Sequence, residues 1–154
     1  MTAAAPAPYS FRDDPAVPDF PDDRVLLVVD GDCALCSWGA RTVARGDPDD
    51  LFRITTVQSD LGGALLAHYG IDAGDPWTWL VVEDGIAKTS SDGVIAVGRR
   101  LAGFWGVLAR IAGVFPKFLR EPVYRFVARH RIRVFGPGDV CALPDPALRR
   151  RLID

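Results

Sequence analysis

The chain has 154 residues, enough for one domain with its own core. A hydrophobic share of 49% and a charged share of 25% exclude a fibrous or disordered class, and three cysteines are too few and too odd in number for a secreted disulfide scaffold. The net charge of −2 hides an asymmetry: residues 1–98 hold 6 Lys/Arg against 16 Asp/Glu, whereas residues 99–133 hold 9 Lys/Arg against one acid, Glu121.

Residues 1–22 carry five prolines (Pro6, Pro8, Pro15, Pro18, Pro21) and several aspartates. They lack the apolar core and basic start of a signal peptide, and read as a flexible or loosely docked arm of a cytoplasmic protein. Residues 23–154 read as a single domain. Its first element is a strand over residues 24–29, whose run of five apolar residues predicts burial on both faces. After Asp30-Gly31-Asp32 come Cys33-Ala34-Leu35-Cys36 and a helix to about Arg45, stopped by Gly46-Asp47-Pro48. Residues 51–57 are rich in β-branched side chains and predict a second strand. Ser59 or Asp60 can cap a second helix that ends at Gly70.

Residues 77–83 predict a third strand, in which Trp77 and Trp79 would share one face of the sheet as core or as an apolar rim. Glu83-Asp84-Gly85 predicts a hairpin turn into a short strand over residues 86–89. Ser90, Ser91 or Asp92 then caps a third helix. The order β-α-β-α-β-β-α is that of a thioredoxin-like α/β core, with its C-x-x-C after the first core strand. A helical extension over residues 99–136 follows. Leu101, Phe104, Trp105, Leu108, Ile111, Ala112 and Phe115 recur at helical spacing, and Pro116 breaks the helix. Pro122 is expected to open the next helix, with Tyr124, Val127 and Ala128 inward and Arg125 and Arg129 outward. Gly136-Pro137-Gly138 ends it, and residues 137–154 read as a loop and tail. No stretch is apolar for the length a membrane crossing needs.

Two thiols at i and i+3 on the first turn of a helix can close a small disulfide, and the helix N-terminus favours a thiolate. The pair therefore reads as a redox motif. Cys33, nearer the helix start, is expected to be the more exposed, attacking thiol. Cys36, one turn in, is expected to be the buried, resolving one. Carboxylates nearby disfavour a thiolate, so Asp30 and Asp32 lean the pair towards a reductase or isomerase. Asp30 can shuttle a proton to Cys36, or either aspartate can simply cap the helix and hold the turn.

Several stretches also resemble a known family. Asp30-Gly31-Asp32-Cys33-Ala34-Leu35-Cys36, Gln58-Ser59, Asp84-Gly85, Ser91-Asp92, and the ending Tyr124-Arg125, Ala128-Arg129, Arg131, Phe135-Gly136 and Cys141-Ala142-Leu143-Pro144 are similar to those of the DCC family of thiol-disulfide oxidoreductases. His130 and Ile132 depart from its usual Asn and Tyr. The resemblance implies a thioredoxin-like fold and a redox role for the cysteine pair. It names no substrate beyond a dithiol or disulfide protein or a small thiol. No bound cofactor is required. Cys141, in the family-like ending, is either a second resolving thiol or a buried apolar residue. Pro76 sits where thioredoxin-like proteins carry a cis-proline beside the cysteines, although trans is the commoner state.

Two rival readings stand beside this one. Cys33, Cys36 and Cys141, with His68 or His130, could form a structural zinc site. Alternatively, the basic, apolar stretch over residues 99–133 could serve as an interaction module for a membrane surface or an acidic partner. The acidic pI of about 5.6 and the apolar character of that stretch weigh against nucleic acid.

Overall fold

The computed structural model describes residues 6–72, 79–138 and 145–153. Strand β1 (Val25–Val29) is central, with β2 (Phe52–Thr56) parallel on one side and β3 (Leu80–Glu83) antiparallel on the other; β4 (Ile86–Thr89) completes the order β2-β1-β3-β4. Helices α1 (Ala34–Arg45), α2 (Asp60–His68) and α3 (Ser90–Gly98) complete the β-α-β-α-β-β-α order of a thioredoxin-like α/β core. The extension is α4 (Phe104–Val114), α5 (Lys117–Phe135) and α6 (Pro146–Arg151).

All five residues of β1 are buried, because the sheet is covered on both faces. Val25, Leu27 and Val29 join Ala40, Val43, Phe52, Ile54 and Leu148 on the α1 side, and Leu26 and Val28 join Leu61, Leu65, Leu80 and Phe11 on the other. Tyr9, Val17 and Phe20 pack on this second cluster, and Tyr9 N–H donates to the Gly85 carbonyl (2.9 Å). The Pro/Asp-rich segment is thus seated on the core through its aromatic residues. The Asp84-Gly85 turn has φ of 51° and 75°, the left-handed pair that matches hairpin twist.

Local expectations needed correction in several places. The third strand starts at Leu80, and Trp79 precedes it; Trp77 lies outside the described residues. Ser59 caps α2 by accepting from Gly62 N–H, as expected. Helix α3, however, has Thr89 at its N-cap without a side-chain bond. Ser91 and Asp92 instead hold α5: Ser91 donates to Glu121 (2.7 Å) and accepts from Arg120 (3.0 Å), and Asp92 pairs with Lys117 (2.8 Å) and Arg120 (2.9 Å).

Pro122 lies inside α5 rather than at its start. Pro116 is the N-cap, and Leu119 and Arg120 N–H groups bond back to its carbonyl. Pro122 is exposed, so water can take the carbonyl its missing N–H leaves unpaired. Tyr124 and Ala128 face inward as expected, but Val127 stands at the rim of the packed face.

The C-terminal tail contains a helix where a loop was expected. Asp145 accepts from Ala147 and Leu148 N–H groups, and Pro146 opens α6. The helix puts Leu148 into the core, and its end pairs Ile153 N–H with the Ile54 carbonyl, covering the outer edge of β2.

Candidate active site

The site sits where β1 ends and α1 begins. Asp30 follows the central strand, so its carboxylate is buried at the edge of the core. One oxygen, Oδ1, accepts from Asp32 N–H (3.0 Å) and from Gln58 Nε2 (3.0 Å). Gln58 in turn accepts from Gly31 N–H (3.0 Å) and donates to Asp32 (3.2 Å). A Cβ at Gly31 would stand 2.9 Å from that amide oxygen, so a larger residue there would displace the Gln58 side chain. These bonds hold the acidic turn in one shape. Neither aspartate caps α1: Cys33 is the N-cap and has no side-chain capping bond.

Cys33, the N-cap of α1, and Cys36, in its first turn, are free thiols held close together. Exposure differs from the expectation. Cys33 is 0% exposed and Cys36 3%. The cover on Cys33 is the chain after α5: Pro137 forms a bridge with Cys33, Gly136 accepts from Ala34 N–H (3.2 Å), and Gly138 N–H donates to the Asp32 carbonyl (2.9 Å). A Cβ at Gly138 would fall 2.7 Å from Ala34 Cα, so this strap lies directly on the helix start.

Two residues that sequence reasoning did not assign to the site converge on Cys36. Trp79 Nε1–H donates to its sulfur at 3.3 Å, and Arg131 Nη1–H at 3.5 Å. The other arm of Arg131 donates to Asp30 Oδ2 at 3.0 Å, and its residue is only 9% exposed. The guanidinium therefore stands between the carboxylate and the thiol. The signal for Arg131 was its place on the inward face of α5, seven residues after Tyr124 and three after Ala128. Trp79 carried only the apolar character that made it a candidate for core or rim. Its indole, just before β3, lies over α1, where a Cβ at Gly39 would stand 2.5 Å from the ring.

Burial pushes the Cys36 thiol up to about 11 from an ordinary 9.0, with the neighbouring Cys33 adding to the rise; the Trp79 bond and then Arg131 oppose it without winning. Cys36 is therefore a neutral thiol at pH 7. Beside it opens an apolar groove of about 260 Å³, lined by Leu35, Trp38, Trp79, Tyr124, Val127 and Ala128 among others. A second groove of similar size, lined by Trp38, Trp105 and Leu108 among others, runs beside it, and Trp38 and Trp105 meet edge to face (5.4 Å).

Pro76 and Cys141 lie outside the described residues. His68 is engaged elsewhere, with Ser10 (2.8 Å) and Asp14 (2.7 Å), and His130 with the Phe126 carbonyl (2.8 Å). Among the described residues no three His, Cys, Asp or Glu side chains cluster as a metal site would require.

A family profile described as DCC1-like thiol-disulfide oxidoreductase matches residues 27–137, from the central strand to the strap over Cys33. The chain belongs to this family. It is 36% identical over 131 residues to the Bacillus subtilis protein YuxK, covering 85% of this chain and 94% of that one. It is 30% identical over 122 residues to a chloroplastic DCC family protein of Arabidopsis thaliana, covering 79% of this chain and 71% of that one. No solved structure matches.

Proposed function

We propose that this DCC1-like protein exchanges thiols and disulfides through Cys33 and Cys36, as a reductase or isomerase. The observation that carries the reading is the adjacent thiol pair at the start of α1, with Arg131 and Trp79 both aimed at Cys36. Cys33, as thiolate, attacks one sulfur of a substrate disulfide. The mixed disulfide forms and the first substrate sulfur leaves as a thiolate, which takes a proton from solvent. Cys36 then attacks Cys33, forming the Cys33–Cys36 disulfide, and its proton passes through solvent to the second substrate thiolate as that leaves. Two electrons pass to the substrate, and an external dithiol or small thiol of a reducing, cytoplasmic setting restores the pair.

The strap over residues 136–138 covers Cys33, so attack requires it to shift. Asp30 acts as a positioning residue: it fixes Arg131, and Arg131 fixes Cys36. The apolar groove supports a substrate whose disulfide is flanked by apolar groups. Because that groove reaches Cys36, the reverse assignment is the second reading, opposed by the raised Cys36 pKa.

Alkylation mass spectrometry across glutathione redox buffers tests the function. A reversible Cys33–Cys36 disulfide is expected, and no disulfide at any poise would overturn the proposal. Single variants test the order: Cys36→Ser should accumulate a glutathione adduct on Cys33, whereas a persistent adduct formed only by Cys33→Ser would reverse the roles.

A further inference from the structure

Helix α4 is packed inside out. Its inward positions are small: a Cβ on Gly98 would stand 2.5 Å from Ala109 Cβ, and one on Gly106 2.3 Å from the Leu101 carbonyl oxygen. Its large apolar residues point away from the protein. Phe104 is 69% exposed, Val114 is 83% exposed, and Val107 and Ile111 between them are also exposed. A helix normally buries such a face. Helix α5 continues the pattern, with Leu119, Val123, Phe126 and Val134 recurring at helical spacing along an exposed stripe. The flank of that stripe is basic: Arg125, Arg129 and Arg133 follow at four-residue steps, and Arg110 flanks the apolar face of α4.

We infer that the outer face of α4 and α5 is a docking surface for an anionic lipid bilayer, on which the protein lies peripherally. Charge selects this occupant. Residues 99–133 hold 9 Lys/Arg against one acid, and no ion pair engages Arg110, Arg129 or Arg133 among the described residues. A second copy of the chain would bring these same cations against each other. A protein interface would concentrate its apolar core and push charge to a rim. Here cations stand alongside the apolar stripe, Arg110 on α4 and the row Arg125, Arg129 and Arg133 on α5, as on helices that lie in the headgroup region with aromatic and aliphatic side chains below and Lys/Arg above. None of the described helices is long and apolar enough to cross a membrane, so the contact proposed for α4 and α5 is peripheral.

The test is cosedimentation of the full chain with phosphatidylcholine vesicles, with and without phosphatidylglycerol. Binding is expected to the mixed vesicles, weakening as salt rises. Ile111→Asp/Val114→Asp changes two exposed positions and should weaken binding about tenfold or more while leaving the circular dichroism unchanged. Arg129→Glu/Arg133→Glu should do the same on phosphatidylglycerol vesicles. Cys33→Ser should bind as the wild type does. The inference fails if no vesicle is bound, if binding ignores both pairs of substitutions, or if the wild type is a stable dimer that Ile111→Asp/Val114→Asp splits.

Discussion

Arg131 serves two groups with one guanidinium, and its removal separates their energetics. Its arms reach Asp30 at 3.0 Å and Cys36 at 3.5 Å, both buried. Arg131→Met keeps most of the length and apolar stem but strands the Asp30 carboxylate without its cation. Breaking a buried pair in this way costs about 3–5 kcal/mol. It also removes an influence that lowers the Cys36 pKa, so in a Cys33→Ser background the alkylation of Cys36 should shift to higher pH than with Arg131 present. Arg131→Lys should recover part of both effects, whereas a purely structural role would leave the alkylation profile unmoved. Cys36 gives a second prediction. Its folded pKa, about 11, is raised above the ordinary 9.0, so the stability it contributes is full below about pH 9 and is lost as pH rises through about 11. Denaturant unfolding across that window should fall more steeply for wild type than for Cys36→Ala.

At the scale of elements, the α/β core was legible because each of its parts carries a local signal. The five-residue apolar run predicted the buried strand, Gly46-Asp47-Pro48 the helix stop, and Asp84-Gly85 the hairpin. What escaped depends on contacts between distant residues. The strap over Cys33 is made by residues more than a hundred positions away, so nothing local to the C-x-x-C could reveal its burial. Pro122 was misread because a proline marks a helix start only where its missing N–H would otherwise be orphaned, and an exposed interior position tolerates it. Helix α6 did carry a signal, the Asp145-Pro146 pair, but the strength of its docking rests on a buried ion pair invisible in the sequence. Arg151 donates to Asp47 Oδ2 (2.9 Å) and to the Asp47 carbonyl (2.9 Å), and the same aspartate accepts from Leu51 and Phe52 N–H groups at the entry to β2. The pair is almost fully buried, at 3% and 0% exposure. Arg151→Met should therefore cost about 3–5 kcal/mol, read as a lowered denaturant midpoint, because Asp47 would be left charged in the core. Asp47→Asn/Arg151→Met should recover much of that loss, since no uncompensated charge remains.

Across the whole molecule, charge segregation ties the extension to the core. Residues 1–98 carry a formal −10 (6 minus 16), and residues 99–154 carry +8 (12 minus 4), which together give the net −2. Cross-links follow this polarity: Arg131 to Asp30, Lys117 and Arg120 to Asp92, and Arg100 to Glu83. The fold holds the dithiol buried, with Cys36 protonated, and this bears on which redox form it favours. A redox pair is oxidising when the fold stabilises its reduced form, as a stable thiolate does, and reducing when the disulfide is the better-tolerated state. At Cys36 burial outweighs the bonds from Trp79 and Arg131, so the fold gives that thiolate no net stabilisation. Closing a loop this short removes about 2 kcal/mol of unfolded-state entropy, and the two sulfurs already lie on one helical turn, so little rearrangement offsets the gain. The oxidised protein should then melt above the dithiothreitol-reduced protein by roughly 5 °C for a chain of this size. Calorimetry of both forms, with Cys33→Ser/Cys36→Ser as the variant insensitive to reductant, reads the difference directly. A reduced form that melts higher would make the pair an oxidant and overturn the proposal of a reductase.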